Sequence, residues 1–203
     1  MMWNNSELKI FKKLNTPFKI QHYINELKYN PHSSAASPRV VLERGSAHCF
    51  EGALLAAALL EFHGHRPMLV DLIAFNDDDH VITPYKMNGY WGAISKTNTT
   101  TAGMRLPFYK TIRELVMSYF DFYFNTKGEY SLLKYSKPIS LNRLNHFEWR
   151  TTQKDLITMG YKLNDFPHIN ILSKKELQKI PKAPNKVVKA TFYKSNPKGL
   201  YQP

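Results

Sequence analysis

Apolar residues along this chain recur at two periods, and the switches between them mark out its elements. From Thr16 to Lys28, the residues Phe18, Ile20, Tyr23, Ile24 and Leu27 fall at helical spacing. Pro17 suits the opening position of that helix, where a missing N–H loses no bond. A short basic stretch from Lys9 to Leu14 reads as a lead-in or first helical turn, and Asn30-Pro31-His32-Ser33-Ser34 breaks the pattern. Another short helical turn begins at Pro38. The clearest helix lies between Gly45 and Gly64, where Ala and Leu dominate. Ser46 is its expected N-cap, and Gly64 its stop.

The period then changes. Pro67 to Phe75 reads as a buried strand, and Asn76-Asp77-Asp78-Asp79 as a turn. His80 to Lys86 and Tyr90 to Ser95 flank Asn88-Gly89, a strong hairpin signal because both turn residues tolerate positive φ. A two-residue turn sets Met87 opposite Tyr90 and Lys86 opposite Trp91. Further out, Ile82 then faces Ser95 and His80 faces Thr97, so Ser95 and Thr97 share a face with His80. Pro84 suggests an edge strand or a bulge. A bulge there would shift the register by one and bring in Lys96 or Asn98.

Residues 96–103 form a polar loop, and Arg105 to Phe108 leads into a second amphipathic helix from Tyr109 to Phe124. Its stripe is Ile112, Leu115, Val116, Tyr119, Phe120 and Tyr123. Beyond Gly128, Leu132 to Ser136 reads as a short strand. Asn145 to Met159 contains a helix begun at Thr152, and Ser173 has a helix-start pattern. Val187 to Tyr193 reads as a strand, with an extended or mobile end beyond Lys194. No internal repeat or linker divides the chain, so one domain is expected over its 203 residues.

Composition adds two constraints. One cysteine allows no intrachain disulfide framework and no Cys-rich zinc site, which fits a reducing, cytoplasmic setting. The N-terminus lacks the apolar region of a signal peptide, and no apolar run reaches membrane-span length, so no membrane association is expected. The formal charge of +12, from 28 Lys+Arg against 16 Asp+Glu, fits an acidic partner or a merely basic surface. No nucleic-acid motif accompanies it, so nucleic acid is not an expected partner.

The candidate chemistry centres on Cys49. A helix start favours a thiolate, through unpaired N–H groups and the positive end of the helix dipole. The plain alternative is a small buried hydrophobe. Cysteine catalysis needs a base and a group orienting that base. His80, at a strand entry, is the candidate base. Ser95 is the first candidate orienter, with Thr97 and Asn98 as alternatives. The backbone N–H of Cys49 is a natural oxyanion donor, and the Gln21 side chain is a candidate for a second.

This order of features resembles the transglutaminase-like superfamily, a branch of the papain-like cysteine enzymes. Cys49 before an Ala-rich helix, the turn Gly64-His65-Arg66-Pro67, His80 at a strand start and Trp91 on the next strand carry the resemblance. They span roughly Pro38 to Thr97. The family's aspartate falls on Ser95, and His48 stands where a small or aromatic residue is usual. The resemblance implies an α+β fold: a transglutaminase-like, papain-like core with the Cys-bearing helix packed on an antiparallel sheet. That core covers about 16–136, with 137–203 as a C-terminal elaboration of helices and strands.

Three functions follow as expectations. The first is a thiol-dependent acyl-transfer enzyme or amide/peptide hydrolase using Cys49 and His80, with an atypical third member. Its partner is a protein, a peptide or a small amide substrate, acidic if the net charge is a guide. The second is a catalytically inactive binding module on the same fold for an acidic ligand or partner. The third, a metal site drawn from His48, His63, His65, His80 and the Asp77-Asp78-Asp79 run, is disfavoured by spacing: His63 and His65 do not share a helix face. No cofactor and no metal are expected.

Overall fold

The computed structural model describes residues 2–203 and has helices packed on a mainly antiparallel sheet, an α+β architecture. Helices α1 (Asn5–Lys13) and α2 (Pro17–Glu26) open the chain. Strand β1 (Lys28–Tyr29), helix α3 (Pro38–Arg44) and strand β2 (Ser46–Ala47) lead into α4 (Cys49–Phe62). Strands β3 (Met68–Ala74), β4 (His80–Met87), β5 (Tyr90–Ile94) and β6 (Arg105–Tyr109) follow, then helix α5 (Ile112–Phe120). Strands β7 (Leu132–Ser136) and β8 (Ile139–Ser140), helix α6 (Ile157–Tyr161), strand β9 (His168–Asn170) and helices α7 (Lys174–Leu177) and α8 (Asn185–Thr191) complete it.

The sheet order is β6-β5-β4-β3-β7-β9, with β8 also on β3. Each neighbouring pair in it is antiparallel. One face carries α4, whose interior positions Ala53 to Leu60 are buried almost completely. This helix has no polar face, because α2, α3 and the sheet surround it. The other face packs Val70, Leu72 and Ile82 against Leu115, Val116 and Tyr119 of α5.

The hairpin forms in the expected register, with Met87 opposite Tyr90 and Lys86 opposite Trp91. Asn88 and Gly89 have φ of 51° and 86°, the two positive values a tight hairpin turn requires. Pro84 pairs in register with Ala93, so the expected bulge is absent. Nor is β4 an edge strand. The β3 ladder on β4 ends at Ile82, so Pro84 lies where no β3 bond is missed.

Several expectations shift. The N-cap of α4 is His48 and not Ser46, because Ser46 and Ala47 pair in parallel with Lys28 and Tyr29. The second amphipathic helix is shorter than Tyr109 to Phe124: Arg105–Tyr109 is an edge strand, where Pro107 is tolerated. Residues Leu141–Phe147 form a 3-10 segment, and helix α6 begins at Ile157 rather than Thr152. Residues 187–193 fall largely in helix α8 and not in a strand, since no sheet edge is offered to their β-branched side chains. The last residues are not a loose end. A 3-10 turn at Pro197–Gly199 is anchored to Asn98, in the loop that leaves β5.

Two close approaches set the site. A Cβ added at Gly52 would collide with Lys96 Cβ, so the first turn of α4 sits directly on the chain leaving β5. Lys96 is buried and points its Nζ at the carbonyls of Ile24 and Leu27, satisfying the open end of α2. Burial pulls its ammonium down to about 8.

Candidate active site

Cys49 occupies the first position of α4, so its own N–H has no partner within the helix. The start of α4 is held by Glu51, a fully buried carboxylate. It accepts from the His48 N–H at 2.9 Å, the Ala36 N–H at 2.8 Å, Asn30 Nδ2 at 3.0 Å and Arg44 at 2.8 Å. Four donors from three segments thereby converge on the turn that carries the thiol. The spacing His48-x-x-Glu51 is a capping-box spacing, a signal present in the sequence that the expected Ser46 cap obscured. The His48 ring turns to the Ser34 carbonyl at 3.0 Å and lies 3.7 Å from Glu51.

His80 opens β4 and is only 8 % exposed. Its Nε2 lies 2.7 Å from Ser95 Oγ, and Ser95 Oγ donates to the Ala102 carbonyl at 2.8 Å. A hydroxyl has one proton, and here the Ala102 carbonyl takes it. Ser95 must therefore accept from His80, which puts the imidazole proton on Nε2 and leaves Nδ1 a free acceptor. Of the three candidate orienters, the structure brings Ser95 to His80. Thr97 Oγ1 instead pairs with Thr99, and the Asn98 amide engages the main chain of residues 196 and 199.

Gln21 is placed otherwise than expected. Its Nε2 donates to Ser95 O at 2.8 Å and to Asn25 Oδ1 at 2.7 Å, and its Oε1 accepts from Ser95 N at 2.9 Å. Both amide protons are spent, so none is left for an oxyanion. Gln21 instead pins the Ser95 backbone from α2 and so positions the hydroxyl facing His80.

Cys49 and His80 both line one cavity of about 440 Å³. Cys49 is half-buried, with Sγ 4.0 Å from the Asp79 carbonyl. Burial pushes its thiol up to about 12, outweighing the Val81 and Phe50 N–H groups that favour the anion, and the charges of Asp78 and Asp71 add to the rise. The thiolate expected from the helix start is thus not the resting form. Burial, helped by the charge of Arg105, pulls the His80 imidazole down to about 4. The two groups rest as neutral thiol and neutral imidazole.

The cavity is acidic, although the chain is basic. Asp77, Asp78 and Asp79 line it, with Lys198 as the one Lys or Arg. Burial raises all three carboxyls, Asp77 to about 6. Asp77 accepts from Ser131 Oγ at 2.6 Å and Asp79 from the Ala74 N–H at 2.7 Å. Among the described residues, no group of three or more His, Cys, Asp or Glu side chains is arranged to hold a metal ion. Trp91 lies outside the cavity lining and packs with the α5-side core, with Lys86 Nζ 5.4 Å from its ring centre. No helix among the described residues is long and apolar enough to cross a membrane.

No protein family and no curated protein matches the sequence. The resemblance to transglutaminase-like enzymes therefore rests on the sequence alone, on Cys49 before its Ala-rich helix, the turn Gly64-His65-Arg66-Pro67, His80 and Trp91.

Proposed function

We propose that the protein is a thiol-dependent acyl-transfer enzyme or amide/peptide hydrolase on a transglutaminase-like core, with Cys49 as nucleophile and His80 as base. The observation that carries this reading is the Ala102–Ser95–His80 hydrogen-bond chain, which leaves Nδ1 free beside the thiol's cavity. Nδ1 takes the thiol proton as Sγ bonds to the carbonyl carbon. The oxyanion formed is met by the Cys49 N–H and the positive end of α4. Collapse breaks the C–N bond, and the imidazolium returns its proton to the departing amine. Water or a second amine then attacks the thioester, giving its proton to Nδ1 and expelling Sγ as thiolate.

Ser95 orients the ring but brings no charge. Imidazolium is therefore stabilised by a dipole alone, and the proton transfer has to occur together with attack. This favours a slow, specialised reaction. The second reading, a binding module, draws on the same absent carboxylate. Three carboxylates in the cleft fit poorly with the acidic ligand that the net charge suggests.

Iodoacetamide labelling separates the two readings, because Cys49 is the only thiol. At pH 7.5 the rate in His80→Ala should fall about a hundredfold below wild type, the low end of what a positioned base contributes. Equal rates in the two proteins would reject the base role and leave the binding module.

A further inference from the structure

The cleft above Cys49 already contains a peptide. Residues Lys198 to Tyr201 of the same chain line the cavity, arriving through the Pro197–Gly199 turn and continuing as extended backbone. The contacts that seat this segment are mostly to its main chain. Asn98 Nδ2 donates to the Asn196 carbonyl at 2.9 Å and to the Gly199 carbonyl at 2.9 Å. Asn98 Oδ1 accepts from the Asn196 N–H at 2.8 Å. The Tyr201 hydroxyl reaches Asn76 Oδ1 at 3.4 Å, and Asp78 lines the cavity beside Tyr201. Just upstream, Thr100 donates to the carbonyls of Ala190 and Thr191. Lys127 Nζ donates to a main-chain oxygen of Pro203 at 2.6 Å.

Main-chain recognition of this kind does not depend on the sequence of the occupant, as when a peptide is held by its backbone and selected at a few side-chain positions. One such position is apparent. A Cβ added at Gly199 would collide with the Tyr29 ring, so the seat admits glycine there. The segment is also an imperfect fit. The hydroxyls of Thr101, Thr191 and Ser195, at the seam between the 97–103 loop and the tail, are buried without a partner among the described residues.

We propose that residues Asn196 to Tyr201 stand in the cleft for a peptide ligand: a segment with a Pro-x-Gly turn running into extended residues, held by Asn98 and filtered by Tyr29. This deepens the acyl-transfer reading, since such a segment brings a peptide substrate over Cys49. The chain's own copy, being tethered, is present at an effective concentration of order millimolar, so an outside peptide competes poorly until the tether is loosened.

The test uses a fluorescein-labelled synthetic peptide of residues 195–202, read by anisotropy against full-length protein. Gly199→Ala loosens the resident segment. It should bind the probe at least about tenfold more tightly than wild type, which must displace its own tail. The same probe with alanine for its glycine should lose at least about tenfold, because its Cβ meets Tyr29. Adding Asn98→Ala to Gly199→Ala should remove binding. If Gly199→Ala folds poorly, Asn196→Pro deletes the N–H given to Asn98 Oδ1 at a φ of −72° that proline can adopt, and frees the segment by another route. Equal binding by wild type and the loosened variant, equal binding of the glycine and alanine probes, or indifference to Asn98→Ala would each overturn the proposal. Repeating the titration in a Cys49→Ala background separates this from the chemistry: peptide binding needs no thiol, and the alkylation experiment needs no peptide.

Discussion

His80 is a neutral imidazole because little water reaches it and its partner is a hydroxyl. That state has a consequence for stability. Its folded value, about 4, lies below the ordinary 6.5, so between those pH values the unfolded chain binds a proton that the folded chain refuses. The contribution of His80 is therefore complete above pH 6.5 and is lost as pH falls toward 4, on the order of 3 kcal/mol in all. The buried carboxyls act oppositely. Asp71 and Asp77, both raised to about 6, take up protons on folding as pH falls and strengthen the fold there. Total stability mixes the two signs, so the measurement has to be a difference. Urea unfolding of wild type and His80→Gln at pH 7 and at pH 4 should show wild type losing about 3 kcal/mol relative to the variant. A pH-independent difference would mean that the ring is solvated. Ser95 has its own expected outcome. Ser95→Asp places a carboxylate against the Ala102 carbonyl, 2.8 Å from the present Oγ, and removes the proton that carbonyl receives. This substitution should therefore lower stability by about 1–3 kcal/mol in the same assay, the cost of an unmet buried acceptor. Much of this was legible in the sequence. The Asn88-Gly89 turn fixes the register, and the register puts Ser95 on the face of His80. The protonation state of Cys49 was not, because a helix start favours the anion while burial, which depends on the whole fold, opposes it more strongly.

At the scale of elements, α4 is legible from end to end except at its cap. Its Ala/Leu run and Gly64 mark the helix, but the cap is set by tertiary contacts. Glu51 reads in the sequence as a charge on an apolar helix. In the fold it joins the 30–36 loop, the end of α3 and the start of α4 through four donated hydrogen bonds. Removing it leaves Arg44 and three other donors without their acceptor, at a cost of about 3–5 kcal/mol for an uncompensated buried pair. Glu51→Gln keeps the shape but offers only one acceptor oxygen and a donor facing donors, so it should lose most of that amount. Chemical denaturation checks the size. Iodoacetamide labelling at pH 7.5 checks the local effect: a disordered first turn should expose Cys49 and speed its labelling in Glu51→Gln. Labelling at the wild-type rate would show that the turn stands without its hub. The misread 187–193 segment teaches the converse. Val and Phe favour strands only where a sheet edge receives them, and no single sequence states that the edge is elsewhere.

Across the whole molecule, the part after residue 137 reads in the sequence as an addition to a core, yet the structure threads it through both layers. Strand β8 pairs with β3, and β9 extends the sheet from β7. Leu144, Trp149, Leu156 and Met159 fill the same core as the interior of α4. Trp149 is fully buried; the Arg150 guanidinium lies 4.1 Å from its ring centre and pairs with Glu61 of α4 at 2.7 Å. Such sharing predicts one cooperative unfolding transition for the entire chain. Trp149→Ala tests it from one side of the sheet. Deleting the ring should cost about 3–5 kcal/mol, a fall in Tm of roughly 10 °C for a chain of this size. The informative reporter is Trp91, which packs in the core on the opposite, α5 side, read in a Trp3→Phe background because Trp3 packs against Phe11 on the α4 side. If the halves are one unit, the tryptophan fluorescence transition and the far-UV helix signal shift down together in Trp149→Ala. If the fluorescence transition stays at its wild-type temperature while part of the helix signal melts earlier, the C-terminal region folds as a separate body. The segment across the cleft would then be free to leave without the sheet opening.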